Sequence, residues 1–241
     1  MRSLRVVLFS VVSMLSVVYL HAQTVDDVIN KHIEAIGGKD KISAIKSVYT
    51  EYDVDIMGNT AAGVTYLVNG KGFRNEVDFA GQKIIECVTE KGGWGVNPMA
   101  GQTAPEAMPA DQAKLRMGQL DAGGPLFNYA TKGNKVELLG KDTLNGKQAF
   151  KVKVISKDGN ENTFWIDGST YYILKSVSKA TVNGEQIETS VQFTNYKKTD
   201  YGYVIPVNYE VTLPQGFALN ITSKKTEINK DIDMKLFEMQ K

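Results

Sequence analysis

His32, Cys87 and the pair Asp53 and Asp55 are the places where this sequence has residue types able to do chemistry. One histidine in the body of the chain cannot assemble a zinc site of the usual kind, which takes several His, Cys or acid ligands. His32 reads as a surface residue of a helix. Asp53 and Asp55 lie two apart on a strand, share a face and so mimic the paired carboxylates of a glycosidase. The opposite face of that strand is the apolar one, and a solvated outer face accounts for them. Cys87 sits among Ile84, Ile85 and Val88, which reads as a thiol buried in a strand. A lone cysteine also excludes an internal disulfide. No Gly-x-Ser-x-Gly elbow occurs, and no Gly-rich phosphate loop precedes a helix. The inventory points away from an enzyme: no catalytic residue, metal or cofactor is expected.

The elements around these residues begin after a leader. Arg2 and Arg5 precede an apolar run from Val6 to Leu20, and Leu20-His21-Ala22 offers a small residue before Gln23. This is the layout of a cleaved secretory signal over residues 1–22. Its removal takes 2 of the 28 Lys+Arg, leaving 26 against 27 Asp+Glu, a formal net of −1. Such a balance makes no electrostatic case for nucleic acid or for an anionic membrane surface. The remaining 241 less 22, or 219, residues suit one large domain over 23–241 with an apolar core of its own.

Thr24 caps a first helix, with Asp26 and Asp27 in its first turn, where the helix dipole favours negative charge. Val25, Val28, Ile29, Ile33 and Ile36 form its apolar stripe, and Gly37-Gly38 ends it. A short turn over 40–45 leads to strands. Val48, Thr50, Tyr52, Val54 and Ile56 alternate with Tyr49, Glu51, Asp53 and Asp55. The theme returns in Phe150 to Val154, in Ile187, Val191 and Phe193, and in Tyr203 to Val211. Met57-Gly58-Asn59, Asn69-Gly70, Asn145-Gly146, Asp158-Gly159-Asn160, Asp167-Gly168 and Asn183-Gly184 supply turns between antiparallel neighbours. The pattern predicts a mainly β fold, an antiparallel meander of roughly ten or eleven strands that curls with an apolar concave face.

Residues 99–130 break the alternation. Pro98, Pro105, Pro109 and Pro125 exclude a regular ladder, and Ala110 to Leu120 reads as a helix carrying Leu115, Met117 and Leu120, with Met108 before it. Gly118 weakens that helix. Phe127 and Tyr129 form a further short turn. The stripe fits equally a core plug and a movable lid over a ligand groove, and the sequence leaves both open. The expected groove lining is Val64, Tyr66, Val68, Phe73, Val77, Ile85, Trp94 and Phe127, lidded by Met108, Leu115 and Met117.

The order of several segments carries a resemblance. Gly72-Phe73-Arg74-Asn75-Glu76-Val77 is followed by the apolar strand Ile84 to Thr89 and by Gly92-Gly93-Trp94-Gly95-Val96-Asn97-Pro98. The Pro-containing helical insertion and Gly124-Pro125-Leu126-Phe127 come next, then Gly146 to Val154 and Thr163 to Leu174, with Trp165-Ile166-Asp167 before Tyr171-Tyr172. Tyr201-Gly202-Tyr203-Val204-Ile205-Pro206 and a last strand finishing at Phe237 complete the order. It resembles the periplasmic lipoprotein-sorting carriers, the LolA-like proteins. Ile33-Glu34-Ala35-Ile36-Gly37-Gly38 is similar to their Bacteroidetes-type variant.

The resemblance implies an open, unclosed β-barrel with helices laid into its open side, and an apolar groove that takes the acyl chains of a lipoprotein or a diacyl lipid. It implies a periplasmic monomer passing cargo from an inner-membrane release complex to an outer-membrane acceptor. A basic residue before the Gly-Trp segment holds the lid in such carriers. Arg74 is the nearest match, Lys71 an alternative, and Gly72 stands where the family often has Pro. An ordinary pairing of Arg74 with Glu76 or Asp78 competes with that role. A non-catalytic envelope scaffold with a filled barrel is the other reading of the whole chain.

Overall fold

The computed structural model describes residues 23–56, 58–157, 159–182, 185–214 and 216–239. The expected signal over 1–22 lies outside the described residues, as do Met57, Asp158, Asn183 and Gly184 of the expected turns.

Helix α1 (Val25–Ala35) starts with a reciprocal capping box: the Thr24 hydroxyl accepts from Asp27 N–H, and the Asp27 carboxylate accepts from Thr24 N–H. It ends where Gly38 N–H returns to the Ile33 carbonyl at 2.9 Å, with Gly37 and Gly38 both at positive φ (138° and 89°). Gly37 also lies against the Gly202 carbonyl, where a Cβ would come within 3.1 Å. Val204 N–H donates to Ile36 O at 2.9 Å, tying the helix end to the sheet. A short α2 (Lys39–Ser43) follows.

One antiparallel sheet makes the rest. Its strands are β1 (Ser47–Ile56), β2 (Asn59–Val68), β3 (Gly72–Phe79), β4 (Gln82–Thr89), β5 (Gly92–Val96), β6 (Glu106–Ala107), β7 (Lys135–Leu144), β8 (Lys147–Ile155), β9 (Glu161–Asp167), β10 (Ile173–Val182), β11 (Glu185–Lys198), β12 (Val204–Thr212) and β13 (Ala218–Ile228). The spatial order is β6-β5-β4-β3-β2-β1-β13-β12-β11-β10-β9-β8-β7. Two meanders are thus joined where the first and last strands pair, Val48 opposite Ile228 and Ile56 opposite Leu219. The edges β6 and β7 do not pair, so the sheet stays open.

Among the described residues thirteen strands replace the expected ten or eleven. One of them, the two-residue β6, pairs Glu106 and Ala107 with Gly95 and Trp94 inside the proline-rich stretch, and is too short to leave a periodic signature. The expected helix at 110–120 is α3 (Ala110–Arg116) running into a 3-10 turn, Met117–Leu120, at Gly118. The segment expected as a last strand finishing at Phe237 is no strand: after β13 the last described element is a 3-10 turn, Met234–Phe237.

Both sheet faces are covered, unequally. On the inner face, Val28, Ile29, Ile33 and Ile36 of α1 pack on Phe150, Val152, Val154, Phe164 and Ile166, with Leu126 and Phe127 beside them. Further along that face Tyr52, Val54 and Ala61 are buried, while Ile56, Val77, Phe79, Leu219 and Ile221 are only partly so. On the outer face, Cys87 and Trp94 are sealed under Phe237, with Ile232 and Leu236 alongside.

Candidate functional site

The inner face carries a groove, and the insertion lies over it. Register sets the lining. Tyr52 opposes Gly63, Gly63 opposes Val77 and Val77 opposes Ile84, so these share one face. Tyr52, Val54, Val77, Phe79, Leu219 and Ile221 form an apolar wall. Phe193 and Tyr209, with ring centroids 6.3 Å apart, extend it across β11 and β12. The Tyr52 ring crosses β2 at Gly63, where a Cβ would fall 2.2 Å from it, and its hydroxyl donates to Asn75 Oδ1 at 2.6 Å. Burial pushes that hydroxyl up to about 12.

Helix α3 is held over this face from three directions. Arg116 Nε donates to Glu86 Oε1 of β4 at 2.6 Å. Gly70 N–H in the β2–β3 turn donates to Leu120 O at 2.7 Å. Met108 N–H donates to Gly93 O at 2.8 Å, and its sulfur lies over Gly93, 3.1 Å from where a Cβ would stand. Between the insertion and β9–β10 runs a cleft of about 670 Å³ lined by Leu115, Met117, Leu120, Pro125 and Ala180 and rimmed by polar side chains. That volume falls in the range of about 300–1,000 Å³ typical of ligand pockets.

No family model and no curated protein matches the sequence. Solved structures do match the fold. A DUF1329 family protein from Desulfovibrio piger superposes with a TM-score of 0.59 at 14% identity, covering 90% of this chain and 100% of its own. A LolA superfamily protein from Nitrosomonas europaea gives 0.58 at 11% identity, over 89% and 97% of the two chains. A putative outer membrane lipoprotein-sorting protein domain from Vibrio parahaemolyticus gives 0.56 at 12% identity, over 87% and 95%. The fold is LolA-like.

Within this LolA-like sheet the residues expected to form one lining fall into two groups. Phe73 and Val77 are on the inner face, while Leu115 and Met117 line the cleft. Phe127 is buried in the α1 cluster, with Lys132 Nζ 5.5 Å from its ring centre. Tyr66, Val68, Ile85 and Trp94 are on the outer face, against Ile232, Leu236 and Phe237. Val64 shares their side of β2, opposite Glu76 of β3 and Glu51 of β1. The alternation on β2 misleads for a physical reason. Its outer residues are apolar because the C-terminal segment covers them, so both faces read as core.

Arg74 belongs to that outer layer and not to the lid. Its Nε donates to Glu76 at 2.7 Å, an Nη donates to the Leu236 carbonyl at 2.6 Å, and its guanidinium stacks over Trp94 at 5.2 Å. The expected pairing with Glu76 is therefore present, but it is buried and not on an exposed surface. Phe237 O accepts from Trp94 Nε1 at 2.9 Å and from the Cys87 thiol at 3.5 Å. Burial raises that thiol to about 11. Gly72 departs from Pro because the Phe237 ring lies on it, 2.6 Å from a Cβ position.

His32 is buried, not on the helix surface, and its Nδ1 sits 2.8 Å from the Tyr171 carbonyl. Asp53 and Asp55 are on the outer face as expected: Asp53 pairs with Lys224 at 2.6 Å, and Asp55 accepts from Gly58 N–H. Among the described residues no His, Cys, Asp or Glu cluster is arranged to hold a metal. The Glu86–Arg116 pair leaves no signal in the sequence, since the two are separated by an insertion with no register of its own.

Proposed function

We propose that this protein binds acyl chains in the concave groove beneath α3 and carries a lipoprotein, or a diacyl lipid, through the periplasm toward the outer membrane. The observation that carries the reading is the unequal covering of the inner face. One half is filled by α1, whereas the half lined by Val77, Phe79, Leu219 and Ile221 is only partly buried, and Leu115 and Met117 of the insertion line a cleft on the same face. A sheet that keeps apolar surface partly exposed under a Met-bearing cover is suited to an apolar guest. Transfer of the guest's methylenes from water contributes about 0.8 kcal/mol each, so a long acyl chain needs no ion pair to bind. Ordering and association costs then bring the affinity into a range from which cargo still leaves.

The likeness to a lipoprotein-sorting domain supports this reading at the level of fold. The protein acts as a non-enzymatic periplasmic monomer, loaded at an inner-membrane release complex and unloaded at an outer-membrane acceptor. Titration of the mature protein with a fluorescent fatty-acyl probe tests it. Saturable uptake, displaced by diacyl lipid, is expected. Absence of uptake would return the fold to a filled scaffold.

A further inference from the structure

We infer that a hydrogen-bonding row across the concave face recognises the carbonyl-bearing linker of a diacylglyceryl ester, while the apolar wall beside it takes the tails. This rests on the acyl-carrier reading above. The row is one register line of the sheet. Thr226 of β13 lies opposite Thr50 of β1, Thr50 opposite Thr65 of β2, Thr65 opposite Asn75 of β3, and Asn75 opposite Glu86 of β4. Glu86 is the residue that Arg116 of α3 reaches, so the row runs on the face that the insertion covers. On β2, β3 and β4 the neighbouring inner positions are apolar, Leu67, Phe73 and Val88 to one side and Val77 and Ile84 to the other, while on β13 the next inner residue is Ser223, opposite Tyr52.

Five consecutive strands that are polar at one level of an apolar wall need an account, because buried polar groups cost free energy unless paired. Their pairing is incomplete. The hydroxyls of Tyr52 and Thr65 both donate to Asn75 Oδ1, at 2.6 and 3.1 Å. Neither N–H of the Asn75 amide has a hydrogen-bond partner among the described residues. Thr50 and Thr226 bring their hydroxyl oxygens to 3.3 Å, so one proton serves the pair and the other is left to donate. Tyr52 is buried, whereas Thr50, Thr65, Asn75, Glu86 and Thr226 are half-buried, accessible to a guest yet partly out of water.

The row therefore presents donors, and the guest that completes it carries acceptors. From Thr50 to Ile56, six residues along β1, the strand runs roughly 20 Å, enough to lay an extended acyl chain along the wall. A bare alkyl chain bound there would leave the donors unpaired. A site with buried donors discriminates strongly against ligands that cannot accept from them.

The test compares ester-linked ligands with dialkyl-ether counterparts of equal chain length. A diacyl phosphatidylcholine and a synthetic diacylglyceryl lipopeptide are the two ester ligands, titrated calorimetrically into the mature full chain. The native protein is expected to hold at least one ester about tenfold tighter than its ether. Thr226→Val and Asn75→Leu are expected to erase that preference, ether affinity rising toward that of the ester once the unpaired donors are gone. Thr226→Val keeps the result readable if Asn75→Leu does not fold. Preference for the ester lipopeptide assigns a lipoprotein source, and preference for the phosphatidylcholine ester a free lipid. Equal ester and ether affinity in the native protein, or a preference that survives both variants, overturns the row and leaves the acyl groove standing. Failure of all four ligands to bind overturns both.

Discussion

Arg116 of α3 and Glu86 of β4 meet at 2.6 Å across the inner face, each about one-third exposed (34% and 33%). An ion pair so wetted contributes little to global stability, because water and salt screen it. Its position matters more than its strength, since it joins the insertion to the sheet at the edge of the groove.

Breaking that pair is expected to loosen the cover without unfolding the protein. Glu86→Gln and Arg116→Met should each change unfolding free energy by less than about 1 kcal/mol while releasing a bound acyl probe several-fold faster. Stopped-flow dilution of the loaded protein into acceptor vesicles measures the release. Unchanged rates in both variants would mean that α3 does not gate the groove.

A charge on the underside of the cover should act on binding instead. Leu115 lines the cleft and is half-buried. Leu115→Asp is expected to weaken acyl-probe binding at least tenfold, since a carboxylate must be desolvated when the guest enters. Melting should stay within a few degrees of the native value. Retained affinity in a folded variant contradicts the cover assignment.

On the outer face the expected outcome is structural. Arg74 is buried and satisfies both Glu76 and the Leu236 carbonyl. Arg74→Leu leaves a carboxylate and a carbonyl without their donor and should cost about 3 kcal/mol in urea unfolding. Uptake and release of cargo are expected to change in proportion to each other, not separately.

Gly72→Ala offers a sharper probe of the same layer, because a Cβ there would lie 2.6 Å from the Phe237 ring. Displacing that ring uncovers Cys87, which is fully buried in the native protein and whose thiol is held up to about 11. Alkylation of Cys87 under native conditions should be very slow in the parent and markedly faster in Gly72→Ala. Equal labelling rates would show that the C-terminal segment does not seal this site.

The elements legible in the sequence are those set by local chemistry. Thr24 and Asp27 cap α1, Gly37 and Gly38 end it, and Gly118 marks where α3 tightens into a 3-10 turn, all within a few residues of one another. The inner wall of β1, β11 and β12 was also readable, since Tyr52, Val54, Phe193 and Tyr209 alternate with polar partners. What could not be read depends on contacts distant in sequence. Phe237 meets Cys87 across 150 positions and Trp94 across 143. That second cover makes Tyr66, Val68 and Ile85 apolar on the outer side, which reverses the inference from alternation. The burial of His32 has a related cause: only the fold brings the Tyr171 carbonyl over it, 139 residues away.

His32 also gives the stability a sign with pH. Burial holds its pKa below the usual 6.5, and the bond to Tyr171 O opposes that shift only in part. The unfolded chain takes up a proton near pH 6.5 that the folded chain resists, so below that pH the unfolded state binds more protons. Stability is therefore full above pH 6.5 and falls as the pH drops toward the lower folded value, by up to about 1.4 kcal/mol per pH unit. Melting temperatures between pH 7.5 and 5.5 should decline in the parent and decline less in His32→Gln. Parallel slopes would mean that His32 is not the group responsible.

Native mass spectrometry of the protein, purified from its host without detergent and paired with lipid extraction, asks outright whether the groove carries cargo. A co-purifying lipoprotein or diacyl lipid is expected on the native protein, and its loss from Leu115→Asp. A clean polypeptide mass, with no lipid in the extract and no uptake of an added acyl probe, would contradict it.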